Sequence, residues 1–184
     1  MRTDKNAPRT AATAGDGADA TAAPDSERRG NRLLQLGVIL FLLGLLSGLA
    51  VPLAANPRMA LSSHLEGVLN GMFLLLSGII WSRLRLGAGT SRVAFGLLVY
   101  GTFANWATTL AAAMWGAGET MMPLAGAGYT GTSAQEMLIA FGLLSLTLAM
   151  LAVCPIVLWG LRGGAAQLAS SSRGSYQTST MPLS

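Results

Sequence analysis

His64 is the only histidine in the chain, and it stands close to an acid and an amide in the run Ser62-Ser63-His64-Leu65-Glu66-Gly67-Val68-Leu69-Asn70-Gly71. One histidine cannot build a zinc site, which takes three or four protein ligands. It is enough for haem iron, which needs a single axial imidazole from the protein. The other reading of a lone histidine in apolar surroundings is an interfacial side chain bonded to water or backbone, and the spacing leaves both open. On a helix, His64, Gly67, Gly71, Leu75 and Gly78 fall on one stripe, while Glu66, Asn70 and Phe73 to Leu74 fall on another. Three glycines beside a histidine make a recessed surface that suits either a neighbouring helix or a planar macrocycle. His64, Gly67 and Gly71 are therefore candidates for holding a cofactor, with His64 as the metal ligand.

A second polar stripe is Thr102, Asn105 and Thr109, bordered by Gly101 and Thr108. An amide deep in an apolar segment is costly unless it is bonded, so Asn105 ties helices together or contacts a substrate. Tyr100 and Trp106 lie on the same segment and would line an aromatic pocket or face lipid. Asn70, Asn105 and Tyr100 are the candidate catalytic side chains. Ser63 to Glu66 reads as a capping box, which makes Glu66 a cap and puts His64 on the first turn of its helix, where the dipole favours a neutral ring. Ser133 to Glu136 reads as a second box.

These residues belong to segments that no soluble domain would carry. Hydrophobic residues make up 52% of the chain and charged ones only 11%, against about a quarter charged in soluble domains. Four stretches, Leu33 to Ala54, Leu65 to Trp81, Val93 to Gly116 and Met137 to Leu161, approach the roughly 20 apolar residues that cross a bilayer. The expected class is an all-α membrane protein: a four-transmembrane-helix bundle over residues 33–162, with disordered cytoplasmic tails at 1–32 and 163–184. Both tails are polar and small-residue-rich without apolar periodicity.

Arg28, Arg29 and Arg32 precede the first span, Arg83, Arg85 and Arg92 follow the second, and Arg162 and Arg173 follow the fourth. The positive-inside rule then puts both termini in the cytoplasm, which an even number of spans requires. The formal charge of +4 is spread along the chain rather than gathered on one soluble face, so nucleic acid is not an expected partner. Cys154 is the only cysteine and cannot form an internal disulfide. Pro155 marks a kink in the fourth span. Gly44 and Gly48 in the first span have the spacing of close helix packing. The loop from Ala117 to Ala134 is long enough to act as a lid. With Glu66 read as a cap, no span holds a free carboxylate, which argues against a proton-coupled transporter.

The run from Asn56 to Phe73, together with Tyr100-Gly101-Thr102-Phe103-Ala104-Asn105-Trp106 and Trp115-Gly116-Ala117-Gly118, resembles the hydroxylaminobenzene mutase family. The likeness covers roughly residues 33 to 162. That family is similar in turn to the membrane styrene oxide isomerases, which share the His-x5-Asn-Gly-Met pattern. The resemblance implies a bacterial inner-membrane isomerase acting on a small aromatic substrate in nitroaromatic degradation. It also implies a homotrimer with haem b, held through His64, and a substrate-orienting Asn70. The isomerases have an acid and a tyrosine flanking the pair that matches Ala104-Asn105, where this chain has Gly101 and Thr109. That departure favours the mutase over epoxide isomerisation.

Overall fold

The computed structural model describes the backbone of residues 16–178 and the side chains of residues 25–162. Its elements are α1 (Asp16–Leu49), a 3-10 turn (Val51–Leu53), α2 (Pro57–Ile80), a second 3-10 turn (Trp81–Arg83), α3 (Ala88–Trp115), the single turn α4 (Pro123–Gly126) and α5 (Ser133–Thr178). Four segments are long and apolar enough to cross a membrane: Asp25–Leu49, Pro57–Arg83, Ala88–Trp115 and Ser133–Arg162. The protein is an all-α membrane protein, as its composition requires.

The helix ends differ from the expected ones. α1 starts well before residue 33, and Arg29 Nη1 donates to Ser91 Oγ on α3 at 2.8 Å, so residues 25–32 are part of the packed helix rather than a disordered tail. α5 likewise runs on to Thr178. The expected disorder at 1–15 and 179–184 lies outside the described residues.

α2 begins at Pro57, because Asn56 caps it: Asn56 Oδ1 accepts from the backbone N–H groups of Arg58 and Met59, each at 3.1 Å. Proline at the first helical position needs no hydrogen-bond partner for its nitrogen. The expected box at Ser63 and Glu66 is therefore not a helix start, and His64 sits about two turns inside α2. Asn56 also donates through Nδ2 to the carbonyls of Ala125 and Gly126, so one buried side chain caps α2 and fastens the loop above it.

α2 packs on α1 and on α3, and α5 packs on α3 and the 81–83 turn without reaching α1 or α2. The bundle is open rather than closed. Pro155 stands inside α5 without ending it. Between α1 and α2 runs a seam of glycines, antiparallel and nearly in register: Gly30 meets Gly78, Gly37 meets Gly71, Gly44 meets Gly67, and Gly48 meets the ring of His64. A Cβ added at Gly44 would stand 2.5 Å from the Val68 nitrogen and 2.6 Å from the Gly67 carbonyl carbon. Lipid offers apolar side chains as good a solvent as another helix does, so close backbone contact through small residues is what holds such a pair.

Two apolar clusters make up the rest of the core. One joins Leu33, Leu40, Leu74, Trp81, Ala94, Leu98 and Val153 near the end that carries both termini. The other joins Met59, Ala60, Ala112, Ala113, Ala117 and Ile139 near the opposite end. The depth between them is left to polar side chains.

Gly44→Ala is expected to lower the thermal stability of the purified protein by about 1–3 kcal/mol, because an inserted methyl meets backbone that cannot move aside. Gly96→Ala, on α3 with nothing within 4 Å, is the control. It should raise stability by roughly 0.5–1 kcal/mol through helix propensity alone. Melting curves in detergent read both.

Candidate functional site

The polar depth between the clusters centres on Glu66. Asn70 Nδ2, one helical turn further along α2, donates to Glu66 Oε2 at 3.2 Å. Asn105 Nδ2, reaching across from α3, donates to the same oxygen. Glu66 is thus the acceptor that joins both amides, where the sequence had suggested a cap. The carboxylate turns the two –NH2 groups inward, which leaves both amide oxygens and Glu66 Oε1 without a partner among the described residues. None of these three atoms is enclosed. All three side chains are half-buried.

The two threonines expected to extend this stripe do not. Thr102 Oγ1 donates to Leu98 O at 2.8 Å, and Thr109 Oγ1 donates to Asn105 O at 2.9 Å, both within α3 and both buried. Ser63 Oγ donates across to Trp106 O at 3.4 Å. Trp106 Nε1 is the one enclosed side-chain polar atom without a partner among the described residues. The neighbouring Cδ1 lies over Gly67, so the indole stands between the glycine seam and the Glu66 layer.

His64 turns the other way, onto α1. Its Nδ1 lies 2.8 Å from Gly44 O, and a carbonyl can only accept, so Nδ1 carries the proton. The ring packs on Gly48, which has no side chain to displace it. Nε2 has no partner among the described residues and is not enclosed. A protonated Nδ1 anchored to a backbone carbonyl is the arrangement that orients a metal-binding imidazole through Nε2. No cluster of three or more histidine, cysteine or acidic side chains occurs among the described residues. The donor set fits a metal that takes one protein ligand, as haem iron does, and not a zinc centre.

Gly67 and Gly71 are buried in the seam, against Gly44 and Phe41. Of the two occupants their flat surface suited, the neighbouring helix is the one that packs on both glycines in the structure. Tyr100 also lies apart from the polar layer: its hydroxyl pairs with Ser145 Oγ on α5 at 2.6 Å. Gly101 accommodates Met150.

The second expected capping box is displaced by one residue. Thr132 N–H donates to Gln135 Oε1 at 2.8 Å, and Gln135 N–H donates back to Thr132 Oγ1 at 3.4 Å. Glu136 instead accepts from the backbone of Gly118, Thr120 and Gly131, tying down the loop that was read as a possible lid. A cavity of about 480 Å3 lies at the end carrying the termini, lined by Arg29, Trp81, Arg85 and Ser91 among others, well away from Glu66 and His64.

Sequence reasoning separated His64 and Asn70 onto two faces, and the structure places them so. It did not identify Glu66 as the hub. The signal was there in part, since Glu66 and Asn70 stand four apart on one helix. Nothing in the sequence pairs Glu66 with Asn105. With Glu66 bonded to Asn70 and Asn105 instead of capping a helix, the second span does hold a carboxyl group.

The family described as styrene oxide isomerase matches residues 29–162. Hydroxylaminobenzene mutase HabB of Ectopseudomonas oleovorans is 63% identical over 136 residues, which is 74% of this chain and 83% of that protein. Hydroxylaminobenzene mutase HabA of the same organism is 43% identical over 129 residues, 70% of this chain and 96% of the relative. No solved structure matches the chain.

Asn105→Leu removes the bond that ties α3 to Glu66. Interhelical hydrogen bonds in membranes average about 0.6 kcal/mol and reach about 1.7. The loss in stability is expected in that range, and Asn70→Leu, which breaks only a bond within α2, should cost less. A denaturant titration in mixed micelles compares the two. Equal losses would show that the tie between helices does not contribute.

Proposed function

The chain belongs to the styrene oxide isomerase family, and with that membership as premise we propose that this isomerase converts aryl hydroxylamines such as hydroxylaminobenzene into 2-aminophenols. The observation that carries the reading is the layer of unpaired acceptors, Glu66 Oε1 and the amide oxygens of Asn70 and Asn105, set between two apolar clusters. An aryl hydroxylamine brings an N–H, an O–H and a flat apolar ring. The donors meet the acceptors and the ring meets the apolar walls. Asn70 and Asn105 orient the reacting group. Tyr100 is left out of that role because Ser145 engages its hydroxyl.

The conversion is intramolecular. An N–O bond breaks, a C–O bond forms at the adjacent ring carbon, and nothing is oxidised or reduced overall, so no co-substrate has to enter. A site among apolar helices keeps bulk water from capturing the electron-poor ring after the N–O bond weakens. Haem b, held through His64 Nε2, would supply a Lewis acid to the hydroxylamine oxygen. The Nδ1 bond to Gly44 O, which leaves Nε2 without a partner among the described residues, supports that assignment.

His64 and the Glu66 layer lie on different sides of α2, so each chain would serve two clefts in a closed ring, and the resemblance makes that ring a homotrimer. The setting we propose is a bacterial cell membrane with both termini cytoplasmic. Its support is the arginines Arg28, Arg29, Arg32, Arg83, Arg85, Arg92 and Arg162 gathered at one end of the spans. The family description favours a second reading, isomerisation of an aryl epoxide. Against it, Gly101 and Thr109 are taken up in packing and present neither an acid nor a phenol.

Haem-replete wild-type protein is expected to convert hydroxylaminobenzene to 2-aminophenol faster than it converts styrene oxide to an aldehyde, followed by chromatography on one preparation. His64→Ala is expected to lose the Soret band and the activity together. An unchanged band in that variant would sink the ligand assignment. Preference for the epoxide would sink the mutase reading.

A further inference from the structure

Rearranging a hydroxylamine leaves a task that neither a Lewis acid nor an orienting amide performs. Once the hydroxyl group has moved from nitrogen to the neighbouring ring carbon, that carbon holds both hydrogen and oxygen, and the nitrogen is an imine. Reaching the 2-aminophenol then requires one proton to leave the carbon and one to join the nitrogen. The C–H electron pair restores the aromatic ring, and the C=N π pair moves to nitrogen and binds the incoming proton as the new N–H bond, the nitrogen keeping its own lone pair. No electrons are gained or lost. In water any base performs this step, but between two apolar clusters the protein must.

Few groups are placed to do it. Inside the four spans, away from their first turns, Glu66 is the only carboxyl group and His64 the only imidazole. His64 has its Nδ1 proton committed to Gly44 O, with Nε2 the position for iron. The Tyr100 hydroxyl is engaged by Ser145, and Cys154 stands exposed on α5. Glu66 has one oxygen fixed by two amides from two helices and the other unpartnered and open.

A tie between α2 and α3 does not explain the choice of residue. Glutamine has a neutral carbonyl that accepts the same two N–H groups, without placing an ionisable group among apolar helices, where such groups are expensive and mark function. The carboxyl group adds one capacity, that of taking up and releasing a proton. Its two donors, Asn70 and Asn105, also flank the position proposed for the substrate.

On the premise of the mutase reading, we propose that Glu66 is the proton relay of the rearrangement: Oε1 takes the proton from the ring carbon that has received the hydroxyl group and returns it to the nitrogen. Carbon and nitrogen are separated by a single ring atom, so one carboxyl group serves both without travelling. The two asparagines hold the relay as well as the substrate.

Glu66→Gln tests this, since it keeps the shape and the two accepted bonds and removes the basicity. The substrate pair is hydroxylaminobenzene and its ring-deuterated form. The variant is expected to keep the wild-type melting temperature and Soret band while kcat falls roughly a hundredfold or more, the scale of general acid–base catalysis. Removal of the ring proton then limits turnover, so the deuterated substrate reacts more slowly than the protiated one in the variant and not in the wild type. A variant close to wild type in kcat, or one slowed equally on both substrates, overturns the relay. If the variant does not fold, Glu66→Asp, with the carboxyl group withdrawn by one methylene, is measured in the same way. An isotope effect larger than the wild type's supports the relay and its absence overturns it. A wild type that leaves hydroxylaminobenzene unchanged overturns the mutase reading and the relay with it, whereas an active wild type beside an indifferent variant overturns the relay alone.

Discussion

Backbone contact between α1 and α2 sets the position of everything else. Four glycines on α1 bring the two helices so close that Cα of Gly44 lies directly against Gly67. At that distance α2 cannot roll about its own axis without driving backbone into backbone. Its remaining faces are therefore fixed: His64 toward α1, and Glu66 and Asn70 toward α3. His64 closes the seam, its ring taking the place opposite Gly48 that a fourth glycine on α2 would otherwise occupy. The same closeness puts Gly44 O within reach of Nδ1, so the feature that packs the helices also selects the tautomer of the only histidine.

The second pair of helices is held differently. α3 meets α2 through apolar clusters at two depths and through the Glu66 carboxylate between them. Packing density is supplied at the ends and polarity in the middle. A membrane interior penalises polar groups that lack partners, which is why Thr102 and Thr109 turn back onto their own helix. Asn105 is the exception, being long enough to reach the neighbouring helix. Satisfying the two amide N–H groups on one carboxylate oxygen uses up donors and leaves acceptors, and the proposed fit to a donor-rich guest rests on that imbalance.

The loop side of the molecule is fastened by two buried or half-buried side chains rather than by regular structure. Asn56 caps α2 and holds the α4 turn, and Glu136 gathers three backbone N–H groups from the segment joining α3 to α5. These bonds tie the loop to the start of α2 and the start of α5. α5, in contrast, packs on one helix of the described bundle, α3, and on the 81–83 turn. The groove between α2 and α5 stays open, and the outer faces of α1 and α2 carry Leu42, Leu46, Leu65, Leu69 and Leu76 to the lipid or to another copy.

Composition and apolar run length by themselves determined the class, the number of spans and the residues from which a site would be built. Hydrocarbon solvent leaves a chain so poor in charge no other architecture, and it makes any histidine, amide or acid inside a span conspicuous. Helical spacing also separated His64 from Asn70, since a rotation of 100° per residue is local geometry. The sequence did not determine where α2 starts. Asn56 and Pro57 outcompete Ser63 and Glu66 as a cap, and the competition is decided by the loop that Asn56 also has to hold. Nor did it determine what the glycines face or what Glu66 binds, because a contact between residues 66 and 105 exists only once α2 and α3 lie side by side. A carboxyl group reads the same in a capping box and in a membrane-embedded cluster, and the neighbours that tell them apart are supplied by tertiary packing.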